Sequence, residues 1–137
     1  MPVGIVSYSH TKYGKLPEDI PTLLKNTIES AVSNVERGID PSDIDLLVVS
    51  NVDNQFSNQH QIGTVALRYL QNHQAEAFRV EAACASGGMA TYLSKQMIES
   101  GSARNALVVG VEKMTHLSTG VTTSILIRGG APEEIKY

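Results

Sequence analysis

Four short apolar runs, separated by stretches with helical spacing, set the plan of this chain. Residues 3–8, VGIVSY, are apolar and β-branched and predict a buried strand. Leu24, Ile28, Ala31, Val32 and Val35 then recur at helical intervals. Asp19 and Pro21 suit the start of that helix and Gly38 its end. IDLLVVS (44–50) predicts a second buried strand. The amide-rich segment NVDNQFSNQHQ (51–61) reads as a solvated loop, or as a loop lining a site at the carboxyl end of a strand. Ile62, Val65, Ala66, Tyr69 and Leu70 form a second helical stripe, and EAFRVEAA (76–83) a third strand.

Residues 84–100 predict a third helix, with Met89, Ala90, Leu93 and Met97 facing inward and Lys95 and Glu99 paired outside. NALVVGVE (105–112) is the fourth strand. This β-α-β-α-β-α-β order predicts a parallel or mixed sheet, helices on its faces and right-handed crossovers. The tail is less regular. TTSILI (122–127) is expected to be a fifth, edge strand, and RGGAPEEIKY a turn with a disordered charged end.

Composition narrows the classes. A chain of 137 residues with 42% hydrophobic content suits one domain with one core. A net charge of −3 without a basic cluster argues against a nucleic-acid partner. No apolar run reaches the roughly 20 residues that span a bilayer, and the first residues lack the pattern of a signal peptide. A single cysteine excludes an internal disulfide, so a reducing cytoplasm is the expected compartment, without membrane attachment.

That cysteine, Cys84, carries the candidate chemistry. It lies in EAACASGGMA (81–90), where the third strand gives way to the third helix. The thiolate is the reactive form, and the positive end of a helix dipole favours it. Ala83, Ala85, Gly87 and Gly88 leave room beside the sulfur for a bulky acyl group. Glycines disfavour helix by about 1 kcal/mol each, so two at a helix start suggest close packing or close approach of the backbone. The competing reading is a small buried hydrophobe, common for a lone cysteine among alanines.

Several segments together tip this balance. VEAACASGGMA resembles the nucleophile motif of the thiolase superfamily, in the style of archaeal and sterol-carrier-type acetyl-CoA acetyltransferases. GIDPSDIDLLVVS resembles the family's second strand and the link before it. NALVVGVEKMT resembles the strand and G-x-E-x-M segment after the nucleophile helix. The resemblance covers most of residues 1–120, which are expected to form a thiolase-like amino-terminal domain, and fades in the divergent tail 121–137. It implies an α/β fold: a half-domain with a mixed, mostly parallel five-stranded sheet flanked by helices.

The resemblance also implies a chemistry. Cys84 matches the nucleophile that takes an acyl group from acyl-CoA as a thioester. A second acetyl-CoA then attacks as a carbanion to give a 3-ketoacyl-CoA, and the reverse reaction is thiolysis. The Cys84 N–H is expected to help hold the thioester oxygen. Coenzyme A thioesters are the implied substrates, with no tightly bound cofactor and no metal. The coenzyme-binding residues are unassigned. A role in lipid metabolism follows from the same resemblance.

The departures are equally clear. The family's second half supplies an activating histidine, a second cysteine and most of the coenzyme pocket. This sequence holds no G-H-P, no C-x-G and no second cysteine. A truncated gene, a frameshift or a split protein, with the second half as a separate chain, would each explain this. His10, His60, His73 and His116 are scattered and give no metal-ligand spacing. His60 and His116 are expected on the Cys84 side, as loop residues rather than a base. Glu81 and Glu112 are expected to be structural or solvent-facing, or to orient a catalytic group. The first expectation is a thiolase-type acyltransferase half, inactive alone for want of acid–base groups. The alternatives are a non-catalytic assembly or binding module, a subunit of a split acyltransferase, and a thiol redox sensor. The last is weakened by the absence of a resolving cysteine. A half of this fold would leave the 84–100 helix short of a partner surface, and the family pairs third strands across a two-fold axis. Both lead to the expectation of a homodimer or tetramer.

Overall fold

The structure is a computed structural model, and it describes residues 2–131 and Glu133. Among the described residues, three parallel strands form its sheet: β1 (Leu46–Ser50), β2 (Glu76–Val80) and β3 (Ala106–Gly110), in the order β2-β1-β3. β1 is central, with Ser50 paired to Val80 on one side and Gly110 on the other. Its five residues are all buried. This explains why it reads as a continuous apolar run instead of an alternating one: both faces of the sheet are covered.

Two helices cover one face. α1 (Ile20–Ser33) is capped by Asp19, which accepts the Thr22 N–H, and carries Pro in its first turn as the sequence predicts. α3 (Ile62–Leu70) packs beside it. Leu24, Ile28, Leu47, Val49, Ile62, Ala66, Leu70 and Val109 make their common core. α3 lies so close to β2 that a Cβ on Gly63 would sit 2.7 Å from the carbonyl carbon of Phe78. α4 (Ser86–Glu99) covers the opposite face, over Leu46, Val48 and Val80. Its inward line is Ser86, Ala90 and Ser94, with Leu93, Met97 and Ile98 partly buried against the core. Met89 faces outward at 40% exposure, contrary to the inward stripe expected from its spacing. The expected Lys95–Glu99 pair is present at 2.6 Å.

The sheet differs from the five strands expected. Residues 3–8 join no ladder among the described residues. Ser7 Oγ donates to the Ala31 carbonyl and Asn34 Nδ2 to the Tyr8 carbonyl, so the segment is tied to α1 instead. Ile5, Val6 and Tyr8 remain 86%, 70% and 79% exposed. The β-branched run at 122–127 is also not a strand. It lies in α5 (Thr119–Leu126) and the 3-10 turn that follows it, Ile127–Gly129. Ser118 Oγ accepts the Val121 N–H at the helix start, and Ile125 is buried. Capping and one buried anchor outweigh the weak strand preference of Thr and Ile. The expectation of disorder at Pro132 and at residues 134–137 lies outside the described residues. Among the described residues, no helix is long and apolar enough to cross a membrane.

Candidate active site

All three strands deliver their carboxyl ends to one edge of the sheet. The chain runs from β1 outward to β2, then crosses back over β1 to β3. Strand order therefore reverses at β1, and in open α/β sheets such a reversal opens a crevice at the carboxyl edge. Three segments meet there: 51–54 after β1, 81–86 after β2 and 111–113 after β3.

Cys84 sits at the second of these. It is exposed, at the centre of a 3-10 turn (Ala83–Ala85) that leads into α4. The buried-hydrophobe reading therefore does not describe it. The turn is held tightly around it. Ala83 has φ +47, a left-handed conformation that costs a non-glycine residue about 1 kcal/mol. Glu81 Oε1 accepts the Ala83 N–H at 2.7 Å. Ser86 Oγ accepts the Ala82 N–H at 2.8 Å and donates to the Ala83 carbonyl at 2.6 Å. Ser86 is itself buried, so this bond pair is shielded from water. No side chain caps α4. A Cβ at Gly88 would meet nothing within 4 Å, and one at Gly87 only Ser50 Oγ at 4.0 Å. Close packing is therefore not the reason for these glycines, and neither lines the pocket that Cys84 lines.

Cys84 lines a pocket of about 500 Å³. Val52, Asp53 and Asn54 form its wall from the β1 loop. Arg79, Glu81 and Ala83 line it from β2 and the turn, and Ile125, Leu126, Arg128 and Gly129 from the tail. The short helix α2 (Asn54–Ser57) starts in this wall, capped by Asp53 Oδ1 on the Gln55 N–H at 2.8 Å. Where the sequence reads as a loop, a helical turn and its buried Phe56 give the wall a fixed shape.

A polar chain stiffens the wall from beneath. Arg79 Nε donates to Asn51 Oδ1, and Asn51 Nδ2 to the Asp53 carbonyl at 3.1 Å. Glu112, from the β3 end, accepts the Val52 N–H at 2.8 Å and the Asp53 N–H at 3.4 Å through Oε2. Burial pushes the Glu112 carboxyl above its ordinary range, opposed by those amides and by the Lys113 backbone N–H, and helped by the nearby charge of Asp53. At the rim, Arg128 Nη1 donates to Gln55 Oε1 at 2.6 Å and ties the tail to α2.

The sequence candidates separate accordingly. Cys84, Glu81 and Glu112 come together at this edge. The histidines do not: His10, His60, His73 and His116 are all exposed, and none lines the pocket. His10 stacks on Tyr13, with ring centroids 5.8 Å apart. Among the described residues, no group of three or more His, Cys, Asp or Glu side chains is placed to hold a metal ion. Arg79, Ser86, Ile125 and Arg128 escape the sequence reading, which reaches Asn51 only as part of the 51–61 segment offered as a loop lining a site. Only Ser86 carries a local signal, as a hydroxyl side chain opening a helix.

Comparison with known proteins agrees with this arrangement. The family described as "Thiolase, N-terminal domain" matches residues 3–136, past the point near 120 where the motif resemblance fades. An acetyl-CoA acetyltransferase of Methanocaldococcus jannaschii is 37% identical over 115 residues, covering 82% of this chain and 29% of the relative. An acetyl-CoA acetyltransferase of Methanothermobacter thermautotrophicus is 30% identical, covering 82% and 30%. A beta-ketoacyl-[acyl-carrier-protein] synthase III of Streptomyces coelicolor is 36% identical over 109 residues, covering 79% and 31%. The chain therefore spans less than a third of the length of each of these relatives.

Proposed function

This chain belongs to the thiolase family, through its N-terminal domain, and on that premise we propose that it supplies the nucleophile of an acyltransferase. Cys84 takes an acyl group from a coenzyme A thioester. The thiolate attacks the thioester carbonyl, the carbon–sulfur bond to coenzyme A breaks, and coenzyme A leaves as its thiolate, taking from solvent the proton that the Cys84 thiol had released there. The acyl group then passes to a second acceptor. In the finer reading the acceptor is acetyl-CoA and the product a 3-ketoacyl-CoA, with thiolysis as the reverse. Relatives are named both as acetyl-CoA acetyltransferases and as beta-ketoacyl-[acyl-carrier-protein] synthases, so the acceptor is the point on which the finer reading of this chain turns.

One observation carries the proposal: an exposed cysteine on a strained turn at the mouth of a pocket, in the sequence context of the family nucleophile. The pocket of about 500 Å³ that Cys84 lines gives the acyl chain its room. No tightly bound cofactor is required, and a reducing cytoplasm keeps the thiol free. Turnover needs an acid–base partner beside the sulfur, and none of the four histidines lines the pocket. This chain alone is therefore expected to form the acyl adduct but no measurable acetoacetyl-CoA.

The test is mass spectrometry after incubation with acetyl-CoA. We expect an acetyl adduct on Cys84, its loss in Cys84→Ser, and faster alkylation of Cys84 than of a free model thiol at pH 7. No adduct, with alkylation no faster than the model thiol, would remove the acyl-carrier reading. A second reading has its own support. Met89 and Tyr92 stand 40% and 55% exposed on the outer side of α4, as expected of a surface that meets another chain. In that reading the protein is an assembly module, either a homo-oligomer or one subunit of a split acyltransferase.

A further inference from the structure

We propose that Glu112 is the positioning residue of the Cys84 pocket, fixing from behind the wall formed by Val52, Asp53 and Asn54. The inference rests on the acyl-accepting reading of Cys84 for its consequence, but not for its geometry. Glu112 follows β3 and the loop it holds follows β1, so the clip spans the reversal in strand order that opens the crevice. Beside it the Val111 N–H donates to the Ser50 carbonyl at 3.0 Å, which aligns the two strand ends. Oε2 takes the amides of Val52 and Asp53, the first two pocket-lining residues of the wall. Oε1 is buried and, among the described residues, has no hydrogen-bond partner.

A half-buried carboxylate with one idle oxygen is a poor choice for stability alone. It is a good choice for holding two amides in one orientation, because a carboxylate accepts both more strongly than a neutral group. Asp53 is the neighbouring charge that bears on it. Lys113, next in the chain, does not neutralise it: its ammonium goes to the carbonyls of Leu16 and Glu18. The sequence motif G-x-E-x-M carries this glutamate, yet nothing in its spacing reveals that the side chain turns back onto the loop after β1.

The test uses the whole chain and two alkylating reagents. Iodoacetamide is small and reports on the exposed thiol itself. A maleimide bearing a short alkyl chain must also fit beside the 52–54 wall. In Glu112→Ala we expect the alkyl maleimide to react about tenfold more slowly, with iodoacetamide changed by less than about twofold. Glu112→Gln keeps one acceptor oxygen and should recover most of the loss. Should the alanine variant fail to fold, the wild-type chain still decides. The amide resonances of Val52 and Asp53 should then move together with pH, with a midpoint above the ordinary glutamate value, and that step should vanish in Glu112→Gln. Equal maleimide rates in the wild type and Glu112→Ala, or amides indifferent to the carboxyl, would overturn the proposal. A wild-type chain that takes no acetyl group from acetyl-CoA would instead overturn the acyl-accepting reading and leave these readouts intact.

Discussion

At the scale of single residues, the site depends on a conformation that its own side chain disfavours. Ala83 is held at φ +47 by Glu81 and Ser86, and Cys84 stands out from the turn as a result. Glycine adopts this region without strain but loses more chain entropy on folding. The two effects nearly balance, so Ala83→Gly should leave stability within about 1 kcal/mol of wild type, whereas Ala83→Val should lose more than about 1 kcal/mol. Urea midpoints measure both, and a valine variant as stable as wild type would refute the strain. The candidate nucleophile was legible: one cysteine in a small-residue motif between strand and helix. Its supports were less so. Ser86 lies two residues away, but Asn51 and Arg79 reach the site only through the fold. Residues distant in sequence leave no periodic trace when a single contact brings them together.

At the scale of elements, hydrophobic period identified the pieces that pack and misled for those that do not. α1, α3 and the three strands follow their stripes because each buries an apolar face, and α4 does so except at Met89, which faces outward. Residues 3–8 have the same β-branched character, yet strand formation needs a ladder partner, and hydrogen bonds from Ser7 and Asn34 hold this segment to α1. Residues 122–127 show the converse. Their strand preference gives way to a Ser118 cap and a buried Ile125, and the resulting helix forms the far wall of the pocket. Among the described glycines, the closest approach of one element to another is Gly63 against Phe78. Gly63→Val would force α3 away from β2, at an expected cost of at least about 2 kcal/mol. Thermal unfolding tests this, and a variant that melts with the wild type would mean the helix can shift freely.

At the scale of the whole molecule, one helix face and both sheet edges are left uncovered among the described residues. α4 presents Met89 and Tyr92 outward, and β2 and β3 each have one strand neighbour. Such surfaces favour association. We expect a homo-oligomer at micromolar concentration, and Met89→Lys with Tyr92→Asp to weaken it without lowering the melting point of the dissociated chain. Sedimentation showing a clean wild-type monomer would sink that expectation. Sequence by itself determined the packed strands and helices, the family and the candidate cysteine, because burial periodicity and a contiguous motif are local properties of the chain. Tertiary structure alone decided that three strands pair instead of five, that the tail turns helical to close the pocket, and that Glu112 reaches back to the loop after β1. These outcomes depend on which surfaces compete for the same partner, and that competition exists only once the chain is folded.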